Sequence, residues 1–525
     1  MCGIFASIDS IKDESFLMDA FMKIKHRGPD FSEFKAIQEK TYFGFHRLAI
    51  NGLTPKGNQP MHKNHCWLVA NAEIFNYKEL ADKYQFKLTT GSDCEVLIDL
   101  YRELGPEKMF DELKAEFAFV LFDELTGEYL VARDHLGVRG LYMGSDASGG
   151  TYFASESKSL AFCDELQQFP PAHFWLSSSE SFYTYYKHDY PEVETDEATY
   201  CKQINYLLTQ AVQRRMMSER PVGCLLSGGL DSSLVAGILA KEYKKQGKVL
   251  ETFSIGLQGS PDLIAAEKVA KHIGSKHHSV LATEEEFLVA LEETIYMLGS
   301  YDVTTIRASV GHQLIAKYVQ QHSDVTVLFS GETADEFGSY LYFQNAPNPE
   351  AFQQEAVRLL KDIHFFDMKR GDRSISNAGL EARVPFADVD FVRYYMSIPA
   401  KERMFDAKRM EKYLIRKAFE ADNIIPEEVL WRRKNGFSDS VSDLKKSWSS
   451  IIQLHVDSLV SDEEFTAKKH SFATIPPTKE AYFYMREFEA FYGKHFQLTP
   501  YQWLPKWCGD IVDPSARVLS IYEAD

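Results

Sequence analysis

The stretch Leu225-Leu226-Ser227-Gly228-Gly229-Leu230-Asp231-Ser232-Ser233 has the residue types and spacing of a phosphate cradle. An apolar run enters Ser-Gly-Gly and passes straight into a helix-like segment. Glycines let backbone N–H groups approach an anion closely, and a helix N-terminus adds partial positive charge. No Lys stands where a Walker A loop carries one. The loop therefore suits pyrophosphate as a leaving group better than transfer of a γ-phosphate. A second reactive group opens the chain, Met1-Cys2-Gly3-Ile4-Phe5. Removal of Met1 leaves the Cys2 thiol beside a free α-amine of pKa about 7.7–8.0, an internal base. Taken alone, Cys2 reads as an ordinary buried thiol near a terminus.

These groups need elements to hold them. At 525 residues the chain is too long for one ordinary core, so two or three domains are expected. Residues 1 to about 190 read as short strands with frequent turns: Tyr42–Ile50, Cys66–Ala70, Phe117–Asp123, Tyr129–Arg133 and Thr151–Ser155. Helical stretches near Ser15–Lys25 and Cys94–Leu104 interrupt them. The acidic Tyr190–Ala198 reads as a linker. Beyond it helices and strands alternate: Thr199–Arg215, Val222–Leu226, Ser232–Lys245, Val249–Leu257, Leu263–Ile273 and Val325–Ser330. That alternation implies a parallel α/β sheet, whose ligands bind at the carboxyl ends of its strands. Those ends carry Ser227–Ser233, Ser254–Leu257 and Ser330–Glu332. From Phe352 onward the pattern is mostly helical.

Bulk properties narrow the class. A formal net charge of −18 argues against a nucleic-acid surface. The basic stretch Lys401–Lys434 is the local exception, a solvated face or a place to meet phosphates. No apolar run reaches the roughly 18 residues of a membrane span, and no signal peptide is visible. The seven scattered cysteines fit reduced thiols in the cytoplasm.

Further strings recur in order. His26-Arg27-Gly28-Pro29-Asp30, His46-Arg47-Leu48-Ala49-Ile50, Asn71-Ala72-Glu73, Gly91-Ser92-Asp93, Arg133-Asp134-His135-Leu136-Gly137 and Phe153-Ala154-Ser155-Glu156-Ser157-Lys158 resemble the class II glutamine amidotransferases. The resemblance implies an N-terminal-nucleophile α-β-β-α sandwich over residues 2–190. It makes Cys2 the nucleophile toward the glutamine side-chain amide. Arg47 pairs with the glutamine carboxylate, as suits a guanidinium fork. Glu73 and Asp93 hold its α-ammonium, Leu48, Ala49, Ile50 and Asn51 line its pocket, and Asn71 with the N–H of Ala72 forms the oxyanion hole.

Downstream, the Ser227–Ser233 loop is joined by Ser260-Pro261-Asp262-Leu263, by Tyr301-Asp302-Val303-Thr304-Thr305-Ile306-Arg307-Ala308-Ser309 and by Phe329-Ser330-Gly331-Glu332. Gly379–Phe386, Trp431-Arg432-Arg433-Lys434, Pro505-Lys506-Trp507 and Asp513–Arg517 follow. In this order the chain resembles glutamine-hydrolysing asparagine synthetases almost end to end. The implied second domain, 199–525, is a parallel-sheet ATP-pyrophosphatase α/β fold with a helical C-terminal part. The implied substrates are glutamine, aspartate and ATP, with Mg²⁺, no nucleic acid and no membrane; a homodimer is compatible. ATP activates the aspartate side-chain carboxylate to β-aspartyl-AMP, and ammonia from Cys2 travels inside the protein to attack it. Ser227, Gly228, Gly229, Asp231 and Ser232 cradle pyrophosphate. Leu225, Ile255, Ser330 and Gly331 line the base and ribose. Asp231 and Asp335 hold Mg²⁺, Glu332 stands at the adenylation centre, Thr304 and Arg307 touch substrate or phosphate, and Lys434 neutralises phosphate charge.

The chain departs from the family strings in several places. Ala72 replaces a Gly, which matters if that residue needs positive φ. Thr333 replaces a Gly after Glu332, and one residue is missing before Tyr340. Asn435 and Ser440 differ around Lys434. Two other readings remain open: a related enzyme that activates another carboxylate, and a non-catalytic descendant.

Overall fold

The computed structural model describes residues 1–406, 408–433, 441–442 and 446–515. One compact unit comprises Met1–Asp189 together with Arg214–Pro221 and Ile375–Ala382; the other comprises Tyr190–Gln213, Val222–Ser374 and Arg383–Asp525.

The first unit is built on two six-stranded sheets. One contains β1 (Gly3–Ile8), β2 (Phe31–Gln38), β3 (Thr41–Arg47), β8 (Tyr142–Ser145), β9 (Thr151–Ala154) and β10 (Glu165–Gln168), in the order β10-β8-β9-β1-β3-β2. The other contains β4 (Met61–Lys63), β5 (Cys66–Ile74), β6 (Ala115–Asp123), β7 (Glu128–Arg133), β11 (His173–Leu176) and β12 (Ser181–Thr184), in the order β12-β11-β7-β6-β5-β4. Strand periodicity sorts the side chains into layers. Leu68, Phe119, Leu121 and Leu130 face outward onto Val96, Leu97 and Leu100 of the helix Glu95–Lys108. Their neighbours Val69, Val120 and Val131 turn inward onto Ile4, Phe43 and Phe45 of the first sheet. On that sheet's far side, Phe21 of the helix Glu14–Met22 lies over Gly44, where an added Cβ would come within 2.6 Å of its ring. The layers run α-β-β-α, as expected.

In the second unit β13 (Val222–Leu225), β14 (Glu251–Gly256), β15 (Lys276–Leu281) and β16 (Val327–Phe329) run parallel in the order β15-β14-β13-β16. All four residues of β13 are buried, the pattern of a parallel strand covered on both faces. The helix Leu230–Lys245 returns from β13 and the helix Pro261–Ile273 from β14. Ser260 caps the latter by accepting from the N–H of Leu263, and Pro261 pre-sets its first turn. Helices including Pro349–Asp362, Trp448–Leu459 and Lys479–Tyr492 form the expected helical C-terminal part. Among the described residues no helix is long and apolar enough to cross a membrane.

Candidate active sites

Cys2 precedes β1, and its backbone N–H donates to Asn71 Oδ1 on β5 at 3.1 Å. That bond orients the Asn71 amide. Its Nδ2, buried on a residue only 2% exposed, has no hydrogen-bond partner among the described residues. A buried donor left unmade is costly, so this one is set for an acceptor brought by a ligand. The Cys2 Sγ lies 3.6 Å from the Leu48 carbonyl, and burial pushes the thiol up to about 11. The buried Met1 amine donates to the Leu380 carbonyl at 2.9 Å, and burial lowers it to about 5.

The loop after β3 closes around this thiol. Arg47 donates to the carbonyls of Thr54 and Gly52 at 2.8 and 2.5 Å and to Asn58 Oδ1 at 2.7 Å. All its close partners are neutral oxygens, and among the described residues it has no carboxylate partner. Ala49 N–H donates to Asp30, the Ile50 carbonyl accepts from Glu219 N–H, and Asn51 Nδ2 donates to Glu73 at 3.1 Å. Asp93 accepts from the N–H of Ile74 at 2.7 Å, which ties it to the end of β5. Ala72 sits within β5 opposite Phe117 and is not among the positive-φ residues. Its Cβ is therefore accommodated without the backbone penalty that the sequence raised.

The second site is a cleft at the carboxyl ends of the parallel strands, about 1190 Å³ with its open mouth included. Leu225, Ser227, Gly229, Asp231, Ser232, Ile255, Ser330, Gly331, Glu332 and Asp335 all line it. Gly228 shapes the loop instead. Its φ is +75°, and a Cβ there would lie 2.5 Å from Ala266 N on the neighbouring helix. Gly331 brings the β16 loop against the start of the helix Leu230–Lys245, where a Cβ would be 2.7 Å from Ser232 N. Both glycines are required by close approach of backbone, and both serve to expose the helix N-terminus. Ser227 Oγ lies 2.9 Å from Ser232 Oγ and accepts from Gly229 N–H at 3.3 Å, which fixes the turn.

The cleft's charges are paired internally. Lys412 Nζ donates to Asp231 Oδ2 at 2.5 Å and Asp335 Oδ1 at 2.6 Å. Asp231 Oδ1 is buried with no partner among the described residues. Glu332 is paired with Arg370, whose Nη2 also lies 3.3 Å from Asp367. Burial raises the Glu332 carboxyl to about 7, with Arg370 opposing the rise. His312 Nε2 is 3.7 Å from Glu332, but burial lowers its imidazole to about 3, so it faces the carboxyl as a neutral ring.

Two expected contacts go elsewhere. Arg307 is buried and fully engaged by Glu480 at 2.8 and 2.6 Å and by Asp513 at 2.9 Å for each oxygen. With its planar fork filled by two carboxylates, it is a structural ion-pair centre rather than a lining residue of the cleft. Thr304 lines a smaller cavity with Asp302, Tyr340 and Trp503 that shares Glu336 and Asp367 with the cleft, its hydroxyl 3.5 Å from the Trp503 carbonyl. Lys434, Asn435 and Ser440 lie outside the described residues. Lys412, Asp367, Arg370, His312 and Arg432 were not singled out from sequence. Lys412 falls in the basic stretch noted above, and Arg432 within the Trp431–Lys434 string. Arg432 donates to the Gly228 carbonyl and to Asp262, both at 3.0 Å, and so braces the loop. The other three carry no local signal.

A glutamine amidotransferase domain model matches residues 1–214, and an asparagine synthase model matches residues 203–350 and 344–509. The chain is 40% identical to the glutamine-hydrolysing asparagine synthetases of Gallus gallus and Mus musculus, and 39% identical to that of Homo sapiens. Each comparison covers 100% of this chain and 99% of the relative. With a thiol pocket in one unit, a phosphate-loop cleft in the other and full-length identity at this level, the chain belongs to the glutamine-hydrolysing asparagine synthetase family.

Proposed function

We propose that this chain converts aspartate to asparagine, using ATP to activate the side-chain carboxylate and glutamine as the nitrogen source. The observation that carries the reading is the convergence of the Ser227–Ser232 loop, Ser330-Gly331 and the Arg370-paired Glu332 on one cleft, in a chain that also buries Cys2 against Asn71. Residues 2–190 carry the glutaminase and residues 199–525 the synthetase.

In the first unit Cys2 attacks the glutamine amide carbon. Its thiol is neutral at pH 7, so the proton leaves during attack. After removal of Met1 the α-amine of Cys2 takes that proton. Asn71 Nδ2 and the N–H of Ala72 stabilise the oxyanion. Arg47, which has no carboxylate partner among the described residues, pairs with the substrate's carboxylate, while Glu73 and Asp93 hold its ammonium, and Leu48–Asn51 close the pocket. The adduct collapses, the α-amine returns the proton to the departing nitrogen, which leaves as ammonia, and water then hydrolyses the Cys2 thioester to release glutamate and restore the thiol.

In the second unit Ser227, Gly228, Gly229, Asp231 and Ser232 hold the phosphates that leave as pyrophosphate. Leu225, Ile255, Ser330 and Gly331 contact base and ribose. Asp231 and Asp335 fit a divalent cation: they already share the Lys412 ammonium, and Asp231 Oδ1 is a buried acceptor with no hydrogen-bond partner among the described residues. They are the residues that would hold Mg²⁺, which supplies neutralisation of phosphate charge when bound. Lys412 and Lys434 add further positive charge. Aspartate's carboxylate oxygen displaces pyrophosphate to give the acyl-adenylate. Ammonia attacks the acyl carbon, AMP leaves, and one proton is released; Glu332 stands at this centre. The seven free cysteines fit a reducing cytoplasm.

The test is to incubate pure protein with aspartate, ATP and Mg²⁺ and either glutamine or ammonium, and to quantify asparagine, AMP and pyrophosphate. Asparagine with stoichiometric AMP and pyrophosphate is expected from both nitrogen sources. Absence of asparagine from both sinks the reading, and ADP with phosphate instead sinks the adenylate route.

A further inference from the structure

Thr333 carries two unfavourable features at one position. Its φ is +81°, in the left-handed region that a β-branched residue rarely occupies. Its hydroxyl is buried, on a residue 1% exposed, and has no hydrogen-bond partner among the described residues. A glycine, which the family string has here, would carry neither burden. The position is not a remote packing site. Thr333 lines the cleft at the carboxyl end of β16, directly after Glu332 and two residues before Asp335. Strain and an unmade hydrogen bond together at a strand end that faces a ligand cleft indicate a group whose partner comes with the ligand.

We propose that the Thr333 hydroxyl is a substrate-binding group, donating a hydrogen bond to an anionic oxygen of the bound substrates. That oxygen belongs either to the amino-acid carboxylate or to a nucleotide phosphate, and the two sources are separable by experiment. The inference rests on the reading of the cleft as the site for ATP and aspartate. No proton is transferred and no bond is broken: the hydroxyl orients and holds.

The test uses the full-length enzyme with three variants. Thr333→Val keeps the branched shape and the backbone strain but removes the hydroxyl. Thr333→Ser keeps the hydroxyl and removes the branch. Thr333→Gly removes both and relieves the strain, so it carries the test if the Val variant fails to fold. Ammonium-dependent asparagine formation gives KM for aspartate, KM for ATP and kcat. Titration with a non-hydrolysable ATP analogue gives nucleotide affinity directly.

Thr333→Val and Thr333→Gly are expected to raise one of the two KM values roughly tenfold, the loss of one hydrogen bond to a charged group, with kcat changed by less than about threefold. Thr333→Ser should stay within about threefold of the parent. A rise confined to ATP, with weaker analogue binding, assigns the phosphate; a rise confined to aspartate assigns the carboxylate. The proposal is overturned if Val and Gly leave both KM values and analogue binding unchanged, or if Ser loses as much as Val. Failure of the parent enzyme to make asparagine would instead overturn the underlying functional reading.

Discussion

The Cys2 pocket and the β-strand-end cleft handle charge in opposite ways. Around Cys2, Arg47 touches only neutral oxygens and Asn71 Nδ2 has no partner among the described residues, so a cation and a donor stand ready before any ligand arrives. In the cleft, Lys412 is shared by Asp231 and Asp335, and Arg370 by Glu332 and Asp367. On the proposed reading the first site is preorganised for one small zwitterion. The second must exchange internal ion pairs for those of its substrates. The difference follows from the ligands: a polyphosphate brings far more negative charge than an amino acid, and a cleft holding that much unpaired positive charge would be costly when empty.

Removing the thiol tests that separation most strongly. Cys2→Ala is expected to abolish asparagine formation from glutamine while ammonium-dependent formation continues, measured in parallel assays. Parallel loss of both would mean that the two sites are not independent. Next comes the waiting donor: Asn71→Leu should lower glutaminase kcat by roughly 10²–10³, the effect of losing one oxyanion donor. A fall of less than about threefold would remove Asn71 from the oxyanion hole.

Arg307 probes stability rather than chemistry. Arg307→Met leaves the buried Glu480 and the half-buried Asp513 without their cation, at a cost of about 3–5 kcal/mol. Urea unfolding should show that loss, and the folded fraction should keep KM for ATP and aspartate within about twofold of the parent. A large KM change with little loss of stability would return Arg307 to the substrate site.

Glu332 gives a pH signature. Its folded carboxyl is raised to about 7 from an ordinary 4.5, so between those values the folded state binds the extra proton. Stability therefore falls as pH rises from 4.5 to 7, with the full penalty present above 7 and absent below 4.5. Glu332→Gln should flatten that part of a melting-temperature profile; an unchanged slope would assign the pH dependence elsewhere. The smallest effect is expected at Ala72, whose Cβ already fits an extended strand. Ala72→Gly should change glutaminase kcat by less than about threefold, and a tenfold gain would show that Ala does hinder the oxyanion hole.

Much of this was legible from residue order. The strands Cys66–Ile74 and Ala115–Asp123 and the helix Leu230–Lys245 follow from apolar periodicity and from the glycines before the helix. Leu225, Ser227, Asp231, Ile255, Ser330 and Glu332 meet because each sits at or beside the end of a parallel strand, and topology makes such ends neighbours. The surroundings of Arg307 and Thr304 were not legible, for a different reason. Both residues lie on a helix in a recurring string, yet Glu480, Asp513 and Trp503 come from distant C-terminal segments whose docking has no local signature.

The sequence by itself determined the inventory: a thiol at position 2, a glycine-bearing anion loop, and enough motif strings in order to indicate the family. These are properties of residue type and short spacing. Only the tertiary structure decided which charges are already spent. Lys412 reaches Asp231 across 181 residues, Arg370 reaches Glu332 across 38, and Thr333 is held in a backbone conformation that its own side chain disfavours. Pairing and strain depend on which atoms the completed packing brings within a few ångströms, and no local pattern encodes that.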